Sequence, residues 1–172
     1  LSEEHQIILK ITKALARKCK AIEGKKNIDK NDINFFNKAI DFIKNYADKF
    51  HHAKEEDILF IELKKNDSMH CSPMDQMMYE HDLGRGFVKG IEEGIKENNK
   101  EKVMENARNY AQLLQEHIFK EDNILYPMAD SALNEKEQKL ILSKFKDAEK
   151  KKFGRNTGKK YIAIARELEK SK

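Results

Sequence analysis

At 172 residues the chain has the length of one ordinary domain, enough to bury a continuous hydrophobic core without covalent staples. Seven Gly, two Pro and no Trp, beside abundant Lys, Glu, Ile, Leu and Asn, point away from a turn-rich β fold and towards long helices. The charged fraction of 37% against 39% hydrophobic leaves one apolar stripe per helix, and the modest net charge of +4, gathered near the C-terminus, reads as the solvated face of a final helix rather than a nucleic-acid surface.

The two cysteines, Cys19 and Cys71, form no CxxC pair and are too few for a disulfide framework, so a reducing cytoplasm is expected. The opening stretch LSEEHQIILKITKALARKCK is charged and amphipathic, unlike a signal peptide or a membrane span.

Periodicity predicts a first helix over about residues 3–22, with Ser2 as N-cap, Gly24 just beyond its end and a core line of His5, Ile8, Thr12, Leu15, Cys19 and Ile22. After the polar link GKKNIDKND a long helix is expected over roughly residues 33–65, its inner line running through Phe36, Ile40, Ile43, Ala47, His51, Glu55 and Ile58. Asn66 to Cys71 breaks the pattern, and Ser72-Pro73 signals the N-cap and first turn of a third helix. Its stripe is Met74, Met77, His81, Val88, Ile91 and Ile95, and Asn98-Asn99 ends it. The fourth helix carries Val103, Ala107, Tyr110, Leu114, His117, Glu121, Ile124 and Met128, with Pro127 as its end or a kink. A fifth helix over about 135–150 and a short one around 160–169 complete the chain.

Short loops between four long amphipathic helices imply antiparallel neighbours. The expected architecture is all-α: an up-and-down four-helix bundle over residues 1–132, with a C-terminal helical extension, 133–172, packed on it.

Core stripes of bundles are normally apolar, yet each of the four main helices places a histidine on its inner line: His5, His51, His81 and His117. Two of them are followed four residues later by a glutamate, Glu55 and Glu121, which puts both side chains on one face about 6 Å apart along the axis. The segments HHAKEEDILF (51–60) and HIFKEDNILY (117–126) share five identities and three conservative changes, and antiparallel packing would set them opposite each other.

A lone histidine on such a stripe is usually a satisfied core residue, and Glu55 or Glu121 alone would fit a boundary ion pair with Lys54 or Lys120 on the surface. Four stripes with two matched pairs argue otherwise. Buried carboxylates and imidazoles at one depth call for cations, and a mixed nitrogen and oxygen set without thiolate favours iron over manganese or zinc. Two ions fit six ligands better than one. The register of the first pair stays open, because His52 and Glu56 repeat the spacing of His51 and Glu55; periodicity favours His51, since His52 follows Asn45, Asp48 and Lys49 on a polar face. His70 reads as an exposed loop residue.

In Glu4-His5, HHAKEEDILF, EHDLGRGF and HIFKEDNILYP the chain resembles the hemerythrin and HHE cation-binding family over roughly residues 3–130. The resemblance implies a four-helix bundle holding a non-haem di-iron centre. It implies His5, His51, Glu55, His81, His117 and Glu121 as the ligands of two iron ions, the glutamates bridging. Oxygen-carrying relatives place a second histidine four residues after the one in their third helix, where this chain has Arg85, and that points away from simple reversible oxygen carriage. The function so implied is that of a di-iron protein that binds or reacts with O2, NO or peroxide at an open iron position, working with a redox partner. A sensor or store without turnover, or a metal-free helical interaction module, are the alternatives. Arg85 would face the site, there to stabilise an anion or offset a carboxylate, and Tyr110 would line the pocket.

Overall fold

The chain's structure, a computed structural model, describes residues 1–66, 69, 73–153 and 157–171; among them are six helices and no strand. Helix α1 is Ser2–Ile22, and its first turn carries Glu3 and Glu4, favourable at the positive end of the helix dipole. Ser2 is not the cap expected of it. Leu1 holds that position without a side-chain bond, and Ser2 Oγ instead donates to Asp122 Oδ1 at 2.8 Å.

Helix α2 runs over residues 30–63 and begins earlier than periodicity suggested. Asp29 accepts the backbone N–H groups of Asn31 and Asp32, and Asp32 accepts that of Asp29, a reciprocal cap hidden within the polar link. The helix is α-helical over Lys30–Phe42. It widens into π-helical turns over Ile43–His52 and again over Glu55–Leu59, then tightens over Phe60–Leu63. Helix α3, Met74–Lys96, starts just after Pro73. The expected cap Ser72, together with His70 and Cys71, lies outside the described residues.

Asn98, at φ 48°, turns the chain after α3 in the left-handed conformation that Asn tolerates. Asn99 then caps α4, which covers residues 100–132. Here too the helix widens, over Glu121–Leu125, before continuing as Tyr126–Ala132. Pro127 therefore neither ends nor breaks it: the wide turn just before it is where proline's missing N–H and bulky ring are absorbed. Helices α5, Glu135–Phe153, and α6, Thr157–Lys170, complete the chain.

Helix α4 packs along both α3 and α1, α2 packs against α1 and α3, and α6 lies across α1 and α2. At Gly94 the α3 backbone comes so close to α4 that a Cβ would stand 2.9 Å from Val103 N. The apolar interior falls into two clusters. One is built from Ile8, Leu15, Phe36, Phe42, Ile91, Val103 and Leu114 and is closed by Tyr161, Ala165 and Leu168 of α6. The other comprises Leu59, Phe60, Leu63, Met74, Met77, Leu125 and Ala129 and is closed by Ile141 of α5. In each of α1 to α4 the histidines of interest lie at the edge of the first cluster or between the two.

Candidate metal centre

Between the clusters lies a buried polar layer. His5, His51, Glu55, His81, His117 and Glu121 are all at most 2% exposed, and the structure brings all six together. His52 joins them, 5% exposed. They form two adjoining groups, His5, His51, Glu55 and Glu121 on one side and His52, His81, His117 and Glu55 on the other. Glu55 belongs to both groups. Glu121 also reaches across, standing 3.2 Å from His5 Nε2 and 3.1 Å from His117 Nε2.

The imidazoles are aimed from outside. His51 Nδ1 donates to Glu4 at 2.8 Å, His81 Nδ1 to Glu56 at 2.7 Å, His117 Nδ1 to Glu80 at 2.8 Å and His5 Nδ1 to Asp122 at 3.0 Å. Each acid is the chain neighbour of one inward residue and the partner of a histidine on the next helix, so the four bonds run α1 to α2, α2 to α3, α3 to α4 and α4 back to α1. This closed ring fixes the tautomers and turns every Nε2 inward. Cations anchor three of the four acids: Lys54 on Glu4, Arg85 on Glu56 and Lys120 on Glu80. Lys54, expected on the surface, is buried, reaching Glu4 and Glu149 over the Phe50 ring.

With the Nδ1 protons given outward, His5 and His51 face each other Nε2 to Nε2 at 2.8 Å, and His81 and His117 do so at 3.0 Å. Two lone pairs do not approach so closely unless a cation or a proton lies between them. Ligands at right angles about one ion, with bonds of about 2.1 Å, stand roughly 3 Å apart, which is this spacing. Glu55 Oε2 and both Glu121 oxygens are buried without a hydrogen-bond partner, so the carboxylates too lack the positive charge that would balance them.

Electrostatics follow the geometry. Burial, and then the charge of Glu121, pushes the Glu55 carboxyl well above the usual range. Burial also opposes ionisation of Glu121, but the imidazoles of His117 and His5, whose Nε2 atoms stand 3.1 and 3.2 Å away, outweigh it and hold that group well below. Burial brings His51 down to about 4 despite the bond to Glu4, and takes His52 well below its ordinary value, so both are neutral, as metal ligation requires. Glu4 falls to about 2 because His51 and Lys54 overcome its burial.

Helical periodicity singles out neither the outer acids nor Tyr126. Tyr126 stacks on His5, donates to Glu55 Oε1 at 2.5 Å and stands 3.3 Å from His5 Nε2. A signal for the acids existed in Glu4-His5, Glu55-Glu56, Glu80-His81 and Glu121-Asp122, in each of which an acid directly adjoins an inward candidate. Arg85 binds Asp48, Asp82 and Glu56 at 2.7 Å each. Its guanidinium already neutralises Asp48 and Glu56, which with His52 would otherwise form a third cluster of donors.

Imidazoles surrounding two buried carboxylates, presented by helices, form the kind of donor set that holds a cation. The chain belongs to the hemerythrin HHE cation-binding family, whose model matches residues 1–129. No curated protein and no solved structure matches it.

Proposed function

We propose that α1 to α4 form an up-and-down four-helix bundle whose polar layer holds two iron ions and that the centre binds or reacts with a small ligand, O2, NO or peroxide. The observation that carries this reading is the pair of inward Nε2 contacts at 2.8 and 3.0 Å, with the two glutamates set between them. His5 and His51 would hold one ion, His81 and His117 the other, and Glu55 and Glu121 would be shared. His52, from α2, offers the second group a third imidazole, in a chain whose α3 carries Arg85 instead of a further histidine.

Two irons so held supply one-electron redox chemistry and a Lewis-acidic position for a diatomic or peroxide. The chain's own residues do the rest. The outer acids orient the imidazoles, Tyr126 donates to Glu55, and the apolar clusters on either side keep bulk water from the layer.

The test is elemental analysis of protein purified without chelator, with an optical spectrum of the same sample. About two irons per chain are expected. His117→Ala should lose most of the metal, and retention of two irons in that variant would refute the assignment. Steady-state consumption of NO or peroxide beyond one equivalent per site would separate an enzyme from a sensor or store.

A further inference from the structure

The two halves of the polar layer differ in access. Beside His5 and His51 the space is filled by Tyr126, whose ring stacks on His5 with centroids 5.5 Å apart and whose hydroxyl is committed to Glu55. Beside His52, His81 and His117 lies a cavity of about 80 Å³, walled by Ile43, Val88 and Leu114, with Lys44 and Arg85 also lining it. One water occupies about 30 Å³ of liquid, so the cavity has room for a diatomic or triatomic ligand.

Its charged rim is already paired. Lys44 Nζ binds Glu92 at 2.6 Å, and Arg85 is held by Asp48, Glu56 and Asp82. Within the cavity one polar group stands out. Tyr110 lines it, is 2% exposed, and its hydroxyl has no hydrogen-bond partner. Burial keeps that phenol protonated, so it is a donor awaiting an acceptor. Across from it Gly84 leaves the ring uncrowded, since even a Cβ there would stand 3.6 Å from the Tyr110 ring.

We infer that the small ligand occupies this cavity, on the His52, His81 and His117 side of the centre, and that Tyr110, not Arg85, donates the hydrogen bond that holds it. The inference rests on the metal-centre reading above. It fixes the class of ligand: two or three heavy atoms, with an acceptor atom turned towards α4. Peroxide, nitric oxide or azide fits this description, and a bulkier organic substrate does not.

Azide is a suitable probe. Bound to the iron-loaded oxidised protein, it should give an optical titration in which Tyr110→Phe weakens affinity about tenfold, the loss of one hydrogen bond, with iron per chain and melting temperature retained. The infrared stretch of bound azide should shift between H2O and D2O in the parent protein and lose that sensitivity in the variant. Val88→Phe, which fills the cavity from α3, should slow azide association with the iron unchanged. If the parent protein binds two irons and azide but Tyr110→Phe leaves both the affinity and the band as they were, this assignment is wrong and the metal-centre reading stands. Protein that takes up no iron would overturn both.

Discussion

Glu55 and Glu121 are placed where a carboxylate is least at ease: fully buried, facing one another, with three of their four oxygens lacking a hydrogen bond. Such a pair is tolerable only if one proton is retained or a cation arrives, and the surroundings favour retention at Glu55 by holding it far above its usual range. The fold thus gives up stability locally to keep a site ready. Glu55→Gln should therefore act in opposite directions on the two states. Its amide oxygen still accepts from Tyr126, so the metal-free protein should become more stable by about 1–3 kcal/mol, while iron per chain falls below two. Calorimetry of chelator-treated protein beside elemental analysis checks both; a metal-free variant that melts lower while keeping its iron would show that Glu55 is an ordinary structural residue.

At the scale of the helix, Asp32 ties α1 to α2. It completes the cap at Asp29 and forms ion pairs at 2.8 Å with Lys18 and with Lys25. Burial opposes its charge, but the Asp29 backbone N–H and the two lysines prevail, and its carboxyl lies below the ordinary 3.8. A depressed carboxylate contributes stability that is present above the unfolded value and is lost as pH falls through the folded one. Asp32→Asn should accordingly cost about 1–3 kcal/mol near neutral pH and progressively less below about pH 4, measured by urea unfolding at both. An equal cost at pH 3 and pH 7 would exclude the ion pairs as its origin. The same element marks where sequence reading succeeds and stops. The stripes of α1 and α3, and that of α4 as far as Glu121, were legible because their residues repeat at α-helical spacing, and so were the six inward residues. Past Glu121 the widened turn moves the inner line, so that Ile124, expected inside, is 47% exposed and Leu125 is buried. His52 was not: on an α-helical wheel it shares a face with Asn45, Asp48 and Lys49. The π-helical turns over Ile43–His52 advance less per residue, so the inward face drifts round until two successive histidines both reach the layer. That widening depends on the packing of the whole molecule and leaves no mark in residue spacing. Glutamates Glu55 and Glu121 each open such a turn, a link between helix geometry and site that only coordinates reveal.

Across the whole molecule the polar layer separates two apolar clusters, and the C-terminal residues divide between them: α6 closes the cluster with Ile8, Phe36 and Ile91, α5 the one with Leu59, Met77 and Leu125. The family match ends at residue 129, so both closing helices lie beyond it. A layer of imidazoles and carboxylates contributes little hydrophobic cohesion, and without cations it opposes the approach of its own lone pairs and charges. Metal ions would bind across all four helices at this plane and couple the two clusters; their removal should uncouple them. The cluster closed by α5 is the smaller, and Met69, from the connection between α2 and α3, belongs to it. It should be the half that opens. In native-state hydrogen exchange, chelation of the metal should raise the exchange rates of amides in residues 59–63 and 125–132 and in α5 by a factor of ten or so, while residues 8–22 and 103–114 keep most of their protection. The melting temperature should fall at the same time, by an amount that grows with the free metal concentration of the reference sample. Uniform acceleration over both clusters would mean that the layer does not divide the fold, and that the metal acts on the molecule as a single cooperative unit.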